Sequence, residues 1–406
     1  MNHNIDIEEF INSKITRRSK SLISDDLVKS HSILDSRLRN KNVLVIGGAG
    51  TIGSYYIKAI LKFNIRKLVV VDINENGLTE LVRDIRSTPG AYVPDEFITY
   101  PVNFGDNVFE KIYRHHGPFQ IVTNFAAHKH VRSEKDVFSI EAMIENNVFR
   151  ARKLLDLLIE IPPEHFFCVS TDKAANPVNI MGASKKLMEE LIMSYSDRLP
   201  VTTARFANVA FSNGSLPLGF LERIKKKQPW SCPIGISRFF VSPQESGELC
   251  LMASIMGAPG DIFFPKLDDK TDMIPFDQIA IDLLEAMGLK PDYCKTEEEA
   301  KQKARLLNDS STTYPVYFFG SDTSGEKAYE EFFTDQEHLD LESFINLGVV
   351  KNSKTCNLQE IEEIFFSLKQ LFSQGNIMKN DIVAILKTYL PNFGHIETGK
   401  SLDQKM

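Results

Sequence analysis

A short apolar strand, Val43-Leu44-Val45-Ile46, runs directly into Gly47-Gly48-Ala49-Gly50-Thr51-Ile52-Gly53, and a helical run through Ile57, Ile60 and Leu61 follows at once. Few folds accommodate that order. Glycines at 47, 50 and 53 permit a tight turn, close approach of the backbone to a pyrophosphate, and close packing of helix on strand; the helix N-terminus adds N–H donors for phosphate. Asp72 ends the next strand, Leu68-Val69-Val70-Val71, about twenty residues on, where a carboxylate accepts hydrogen bonds from the adenosine ribose hydroxyls. Its charge repels a 2′-phosphate, which favours NAD over NADP, although Arg83 and Arg86 follow closely enough in sequence to reach one. The alternative for Asp72 is to cap a helix in the loop after its strand.

The chain keeps alternating beyond this turn. Ile121-Val122-Thr123-Asn124 and Phe166-Phe167-Cys168-Val169 are further strand runs, with a long helical segment from about Val137 to Glu160 between them. Such alternation predicts an α/β fold built on a doubly wound, Rossmann-type parallel sheet. Residues 1–40, with charges interspersed among Ile15, Leu22, Leu27 and Ile33, predict a helical N-terminal extension used for packing or an oligomer contact. Residues 41–210 then form the NAD-binding Rossmann domain. After about residue 210 prolines and glycines loosen the rhythm, and helical runs at 296–307, 358–372 and 381–389 predict a smaller α-rich substrate-binding lobe over 211–406, partly interleaved with late strands of the sheet.

Composition excludes several classes. A net charge of −7 argues against a nucleic-acid protein whose affinity rests on phosphate neutralisation. Five scattered cysteines without C-x-x-C pairs suggest neither a disulfide framework nor a metal site, and fit a reducing cytoplasm. No apolar run approaches the roughly 18 to 20 residues of a membrane helix, and the start, MNHNIDIEEF, lacks a signal-peptide layout. A cytoplasmic protein without membrane insertion is expected.

The stretch STDKAANPVNIMGASKK, residues 170–186, follows the strand at 166–169. It places Asp172 and Lys173 at a strand's carboxyl end, where open α/β sheets bind ligands. Lys185 lies twelve residues beyond Lys173 inside a predicted helix, with Met181 one turn before it. That spacing matches the Tyr-x-x-x-Lys pair of short-chain dehydrogenases, with methionine in place of tyrosine. Asn124-Phe125-Ala126-Ala127 offers small residues for close ligand approach, and Asn147 lies in the next helix, where an asparagine alone carries little weight.

Taken together, these motifs resemble the extended short-chain dehydrogenase/reductases, and more narrowly the nucleotide-sugar 4,6-dehydratases acting on UDP-N-acetylglucosamine in polysaccharide biosynthesis. The resemblance covers about residues 40–335, and the segment from Ser170 to Lys185 matches that group's STDKA-x-x-P-x-N-x-M-G-x-[ST]-K pattern. Arg205-Phe206-Ala207-Asn208-Val209, Asn213-Gly214-Ser215-Leu216-Pro217, Ser237-Arg238-Phe239-Phe240-Val241 and Ser324-Gly325-Glu326-Lys327-Ala328-Tyr329-Glu330-Glu331 are similar to further segments of the group. Departures are Ile46 for a threonine, Ala207 for a glycine, Ser324 for a proline and Thr323 for an arginine.

The resemblance implies NAD held by Gly47, Gly50, Thr51, Ile52, Gly53, Asp72, Asn103, Phe104, Ala126, Ala127, Asn147 and Lys185. It implies a UDP-sugar bound by His128, Lys129, Asn208, Ser215, Arg238 and Glu326, with Arg238 on the diphosphate. It also implies a homo-oligomer and no metal. Elimination is assigned to Asp172 as acid and Lys173 as base at C5, so Lys173 must spend time neutral. Lys185 holds the nicotinamide ribose. Met181 cannot take the C4 hydroxyl proton, and Thr171 is expected to position that hydroxyl with help from Asp172 or Lys173. A nucleotide-sugar 4-epimerase, which has no use for an acid at C6, is one alternative. A catalytically silent NAD-binding scaffold is another, opposed by the retention of both lysines.

Overall fold

A computed structural model describes residues 5–320, 325, 327, 329–351, 353 and 356–397. Fifteen strands are found there: β1 Asn42–Ile46, β2 Lys67–Val71, β3 Glu96–Tyr100, β4 Ile121–Asn124, β5 His165–Val169, β6 Val201–Ala204, β7 Asn208–Val209, β8 Trp230–Ile234, β9 Ser237–Val241, β10 Ile262–Pro265, β11 Met273–Pro275, β12 Lys290–Tyr293, β13 Thr313–Gly320, β14 His338–Asp340 and β15 Leu347–Lys351. Nine of them form one sheet in the order β14-β15-β10-β6-β5-β4-β1-β2-β3. The run from β3 to β10 is parallel, and β15 and β14 close the far edge antiparallel. The strand order reverses between β1 and β4, which opens a crevice at their carboxyl ends.

The central strands are continuous apolar runs because both faces are covered. All of β1 is buried. Val43 and Val45 face one core with helices Ser24–Leu38, Thr51–Ile60, Glu75–Ser87 and Pro243–Met256. Leu44 and Ile46 face the other, with helices Asn107–His116, Ile180–Ser194, Leu358–Phe372 and Lys379–Tyr389. That division follows from the two-residue period of a strand.

Later parts of the chain return to this sheet through β10, β14 and β15. The rest of the lobe carries two three-stranded sheets, β11-β9-β7 and β12-β13-β8. It holds more strand than its sequence suggests, since Pro233, Pro275, Pro291 and Pro315 interrupt the alternation that announces a strand. A third core unites Trp230, Tyr314 and Ile279 of this lobe with Phe10, Ile11 and Ile15 of the N-terminal segment. The same segment is bolted to the main body by Arg18, whose Nε and Nη2 each donate to Glu245 at 2.8 Å.

The long helix expected over 137–160 is α-helical at Val137–Ile144 and Arg150–Glu160 and widens to a π-turn at Glu145–Phe149. Helix Leu358–Phe372 has the expected limits, and the last helix begins two residues early, at Lys379. No helix among the described residues is long and apolar enough to cross a membrane.

Candidate functional site

A cavity of about 450 Å³ lies over the carboxyl ends of β1, β2, β4 and β5, within the usual size of a small-molecule site. On one side it is built from backbone. Gly47 has φ +78°, and a Cβ there would lie 2.6 Å from the Ala126 nitrogen. On Gly53 a Cβ would meet the Gly47 carbonyl oxygen at 2.3 Å. Both positions therefore demand glycine, and the turn closes against β4. Gly50, Thr51 and Ile52 line the cavity at the N-terminus of helix Thr51–Ile60.

Asp72 also lines the cavity, its Oδ2 accepting the Ala49 N–H at 3.0 Å and its Oδ1 the Asn74 N–H at 2.9 Å. The capping role belongs instead to Asn74, which caps helix Glu75–Ser87 through the Gly77 N–H. Arg83 pairs with Glu80 on the surface and Arg86 lies over the Phe97 ring. Asn103, Phe104, Ala126 and Ala127 complete this wall. These groups fit a dinucleotide: glycines where a Cβ would fill the cradle, helix N–H donors, and a carboxylate at the second strand's end.

Asn147 is not among the residues that line the cavity. It is 2 % exposed and lies behind the wall, its Oδ1 accepting the His128 N–H at 2.8 Å and its Nδ2 donating to the His128 carbonyl at 2.9 Å and Ser184 Oγ at 3.1 Å. Asn146 lines the cavity in its place. The π-turn inserts one residue and rotates the pair relative to a regular helix, a shift no α-helical spacing predicts.

The other side is built from side chains. Thr171, Asp172 and Lys173 follow β5 in a short 3-10 turn and all three line the cavity. One oxygen, Asp172 Oδ1, accepts from Thr171 Oγ1 at 2.8 Å, the Lys173 N–H at 2.9 Å and Lys173 Nζ at 3.0 Å. Helix Ile180–Ser194, capped by Asn179 through the Gly182 N–H at 2.7 Å, brings Met181 and Lys185 to the same cavity. A Cβ on Gly182 would lie 2.6 Å from the Lys173 carbonyl oxygen, so this glycine sets how closely the helix approaches the turn. Lys185 is 3 % exposed, and its Nζ donates to the Val169 carbonyl at 2.6 Å. Burial pushes its ammonium below the ordinary lysine range, against the pull of Cys168 and Glu189.

Four of the expected sugar-side residues, His128, Lys129, Asn208 and Ser215, line the cavity. Burial lowers both His128 and Lys129, with Arg150 adding to the effect on His128. Lys129 Nζ donates to the Asn213 carbonyl at 2.9 Å, and the Asn213 N–H donates to Thr51 Oγ1 at 3.0 Å. Ser215 doubles as the cap of helix Leu216–Lys225. Asn208 Nδ2 is buried with no hydrogen-bond partner among the described residues, a donor facing a cavity and suited to a ligand acceptor.

Arg238 departs from expectation. It is 6 % exposed, outside the cavity lining, with Nη1 on the Ser237 carbonyl at 2.9 Å. Glu330, which sequence reading missed, is 4 % exposed and feels the charges of both Arg238 and the acid/base turn. Burial holds the Glu330 carboxyl above the usual range; Lys173 opposes this, Asp172 reinforces it, and Arg238 and Lys327 oppose it. In sequence Glu330 belongs to a charged run, EKAYEE, that looks like a solvated surface. Glu326, Ser324 and Thr323 lie outside the described residues.

A buried ion network supports the turn from beneath. Arg205, fully buried, donates to both Glu189 oxygens at 3.0 and 2.9 Å, to both Glu337 oxygens at 2.8 Å, and to the Phe332 carbonyl at 2.9 Å. Ser170 Oγ, next to Thr171, donates to Glu189 Oε1 at 2.5 Å. The strand end that carries Asp172 is thus tied to the segment that carries Glu330.

The chain matches a family profile described as polysaccharide biosynthesis protein over residues 43–352. The uncharacterized membrane protein MJ1061 of Methanocaldococcus jannaschii is 29% identical over 82% of this chain and 97% of its own. The capsular polysaccharide biosynthesis protein CapD of Staphylococcus aureus is 28% identical over 78% of this chain, which spans only about half (49%) of that relative. A UDP-glucose 4-epimerase of Rickettsia typhi is 27% identical over 81% of this chain and 96% of its own. Among solved structures, Pen from Bacillus thuringiensis superposes with a TM-score of 0.61 at 23% identity, covering 77% of this chain and 87% of that one. The dTDP-glucose 4,6-dehydratase DesIV of Streptomyces venezuelae, solved with NAD bound, gives 0.53 at 17% identity over 72% and 90%. The chain, with its glycine turn on a reversed parallel sheet, belongs to the polysaccharide biosynthesis protein family and has the fold of the extended short-chain dehydrogenase/reductases.

Proposed function

We propose that this protein removes water from a nucleotide-activated sugar by 4,6-dehydration, with UDP-N-acetylglucosamine the leading substrate, and yields a 4-keto-6-deoxy sugar for surface glycan synthesis. The observation that carries this reading is the hydrogen-bonded chain Thr171 Oγ1, Asp172 Oδ1, Lys173 Nζ at the edge of a cavity whose opposite wall suits a dinucleotide. Bound NAD would supply a reversible two-electron oxidation at C4. Asp72 supports NAD over NADP, because a carboxylate at the ribose repels a further phosphate.

Proton work falls to the chain's own residues. Thr171 holds the C4 hydroxyl and passes its proton 2.8 Å to Asp172 as the C4 ketone forms. Asp172 is then protonated, as an acid at C6 must be. Lys173 takes the C5 proton that the ketone has acidified, and Asp172 protonates the C6 hydroxyl, which leaves as water. Lys173, its ammonium protons exchanging with solvent, gives a proton to C5 at the end, so acid and base are both restored. Met181 offers the sugar an apolar contact and no proton.

A 4-epimerase is the second reading, favoured by the named epimerase among the relatives. It shares the oxidation at C4 but leaves Asp172 without a task at C6. Product mass after incubation with UDP-N-acetylglucosamine separates the two, since dehydration loses one water and epimerisation loses nothing. We further propose cytoplasmic action as a homo-oligomer, checked by fractionation and by sedimentation of the purified chain.

A further inference from the structure

Residues 175–179 join the Asp172-Lys173 turn to helix Ile180–Ser194, and beside the local cap that Asn179 gives the Gly182 N–H they are held by contacts from far along the chain. Gly394 N–H donates to the Pro177 carbonyl and Ile396 N–H to the Val178 carbonyl, both at 3.0 Å. The Ile396 carbonyl in turn accepts the Gly325 N–H at 3.0 Å, and Asn179 Nδ2 donates to the Gly325 carbonyl at 2.8 Å. The tail's backbone therefore bridges the catalytic linker and Gly325. These tail residues fall beyond position 352, where the family match ends.

Met181 is also held from outside its own helix. The Met181 N–H, in the first turn of helix Ile180–Ser194, donates to Glu134 Oε1 at 3.0 Å. Glu134 Oε2 lies 3.9 Å from both Lys379 Nζ and His395 Nε2. The Glu134 and His395 side chains are only 6 % and 5 % exposed. A carboxylate at a helix N-terminus is favoured by the N–H donors and the helix dipole. Here the nitrogens beside it, Lys379 Nζ and His395 Nε2, come from the C-terminal part of the chain.

We propose that Glu134 and the tail segment 393–397 are positioning elements for the acid/base site: the tail's backbone fixes residues 177 and 178, and Glu134, seated by His395 and Lys379, fixes Met181. Through one helical turn this sets Lys185, and through the close contact of Gly182 with the Lys173 carbonyl it sets Lys173. The assignment rests on the acid/base reading of Asp172 and Lys173 given above.

The test uses the full-length chain with NAD, comparing Ile396→Pro, which deletes one N–H, with Ile396→Ala, which keeps it, and Glu134→Ala with Glu134→Gln, which keeps an acceptor. Thermal unfolding identifies any variant that fails to fold, and the remaining pair then decides. For UDP-N-acetylglucosamine, Ile396→Pro and Glu134→Ala should lower kcat roughly 10- to 100-fold with KM within about twofold, as expected when catalytic groups shift by a fraction of an ångström to an ångström. Ile396→Ala and Glu134→Gln should keep most of kcat. Amide exchange by mass spectrometry should quicken over residues 177–182 in the first two variants alone. Unchanged kcat, or a Gln variant as slow as the Ala variant, overturns the proposal. Should the wild type turn over no sugar nucleotide, the functional reading fails, and the exchange data alone then decide whether Glu134 and the tail order residues 177–182: wild-type protection in Ile396→Pro and Glu134→Ala overturns it.

Discussion

The two walls of the cavity are built on different principles. The dinucleotide wall is local: Gly47, Gly53 and Asp72 fall within 26 residues, and its shape comes from backbone that only glycine permits. The acid/base wall is assembled at a distance, since Arg205 bonds Glu337 across 132 residues and Asn179 bonds the Gly325 carbonyl across 146. Local backbone geometry tolerates neighbours changing; a side-chain assembly depends on each partner. Substitutions should therefore act steeply and separately on the two walls.

The largest effect is expected at Lys173. Lys173→Ala should lower product formation about 10²- to 10⁴-fold and should also slow C4 oxidation, because Lys173 Nζ orders the Asp172 oxygen that receives the Thr171 proton. Absorbance of the reduced cofactor near 340 nm reports that step. Normal oxidation without elimination would show that the pair does not serve both.

Arg205 comes next. Arg205→Ala leaves Glu189 and Glu337 facing each other without their cation, and breaking a buried ion pair costs about 3–5 kcal/mol. Denaturant unfolding should register that loss, while a variant of wild-type stability would remove the network from the account. On the dinucleotide wall, Gly53→Ala drives a Cβ to 2.3 Å from the Gly47 oxygen, an overpacking cost of about 1–3 kcal/mol. Calorimetry should find it mainly as weaker NAD binding, with the acid/base wall intact.

What the sequence makes legible follows the same division. The glycine turn, Asp72 and the run from Asp172 to Lys185 are each short motifs whose spacing carries the geometry, and all of them line one cavity. Asn146 lines the cavity and Asn147 does not, within a π-turn that leaves no mark in apolar spacing. Glu134 and Glu330 hide in charged runs, VRSEKD and EKAYEE, and are buried only because segments far away in sequence fold over them. Arg238 and Glu330 each fall in a segment that matches a motif, yet neither motif announces that the two charges influence each other.

The smallest expected effect is a pH slope at Glu330. Its folded-state carboxyl is raised by burial, so the folded chain holds a proton that the unfolded chain releases near pH 4.3. Stability from this group is complete below that value and is lost as pH rises through the folded-state value. Glu330→Gln should flatten the decline over that window in pH-dependent unfolding. An unchanged slope would place the carboxyl in contact with water.

The most direct test of the central claim is the product formed from UDP-N-acetylglucosamine in deuterated water, read by mass spectrometry and NMR. Dehydration through the Thr171-Asp172-Lys173 chain predicts loss of one water, a C4 ketone, a C6 methyl group and deuterium at C5. A product of unchanged sugar formula, epimerised at C4 and free of deuterium at C5, would contradict it.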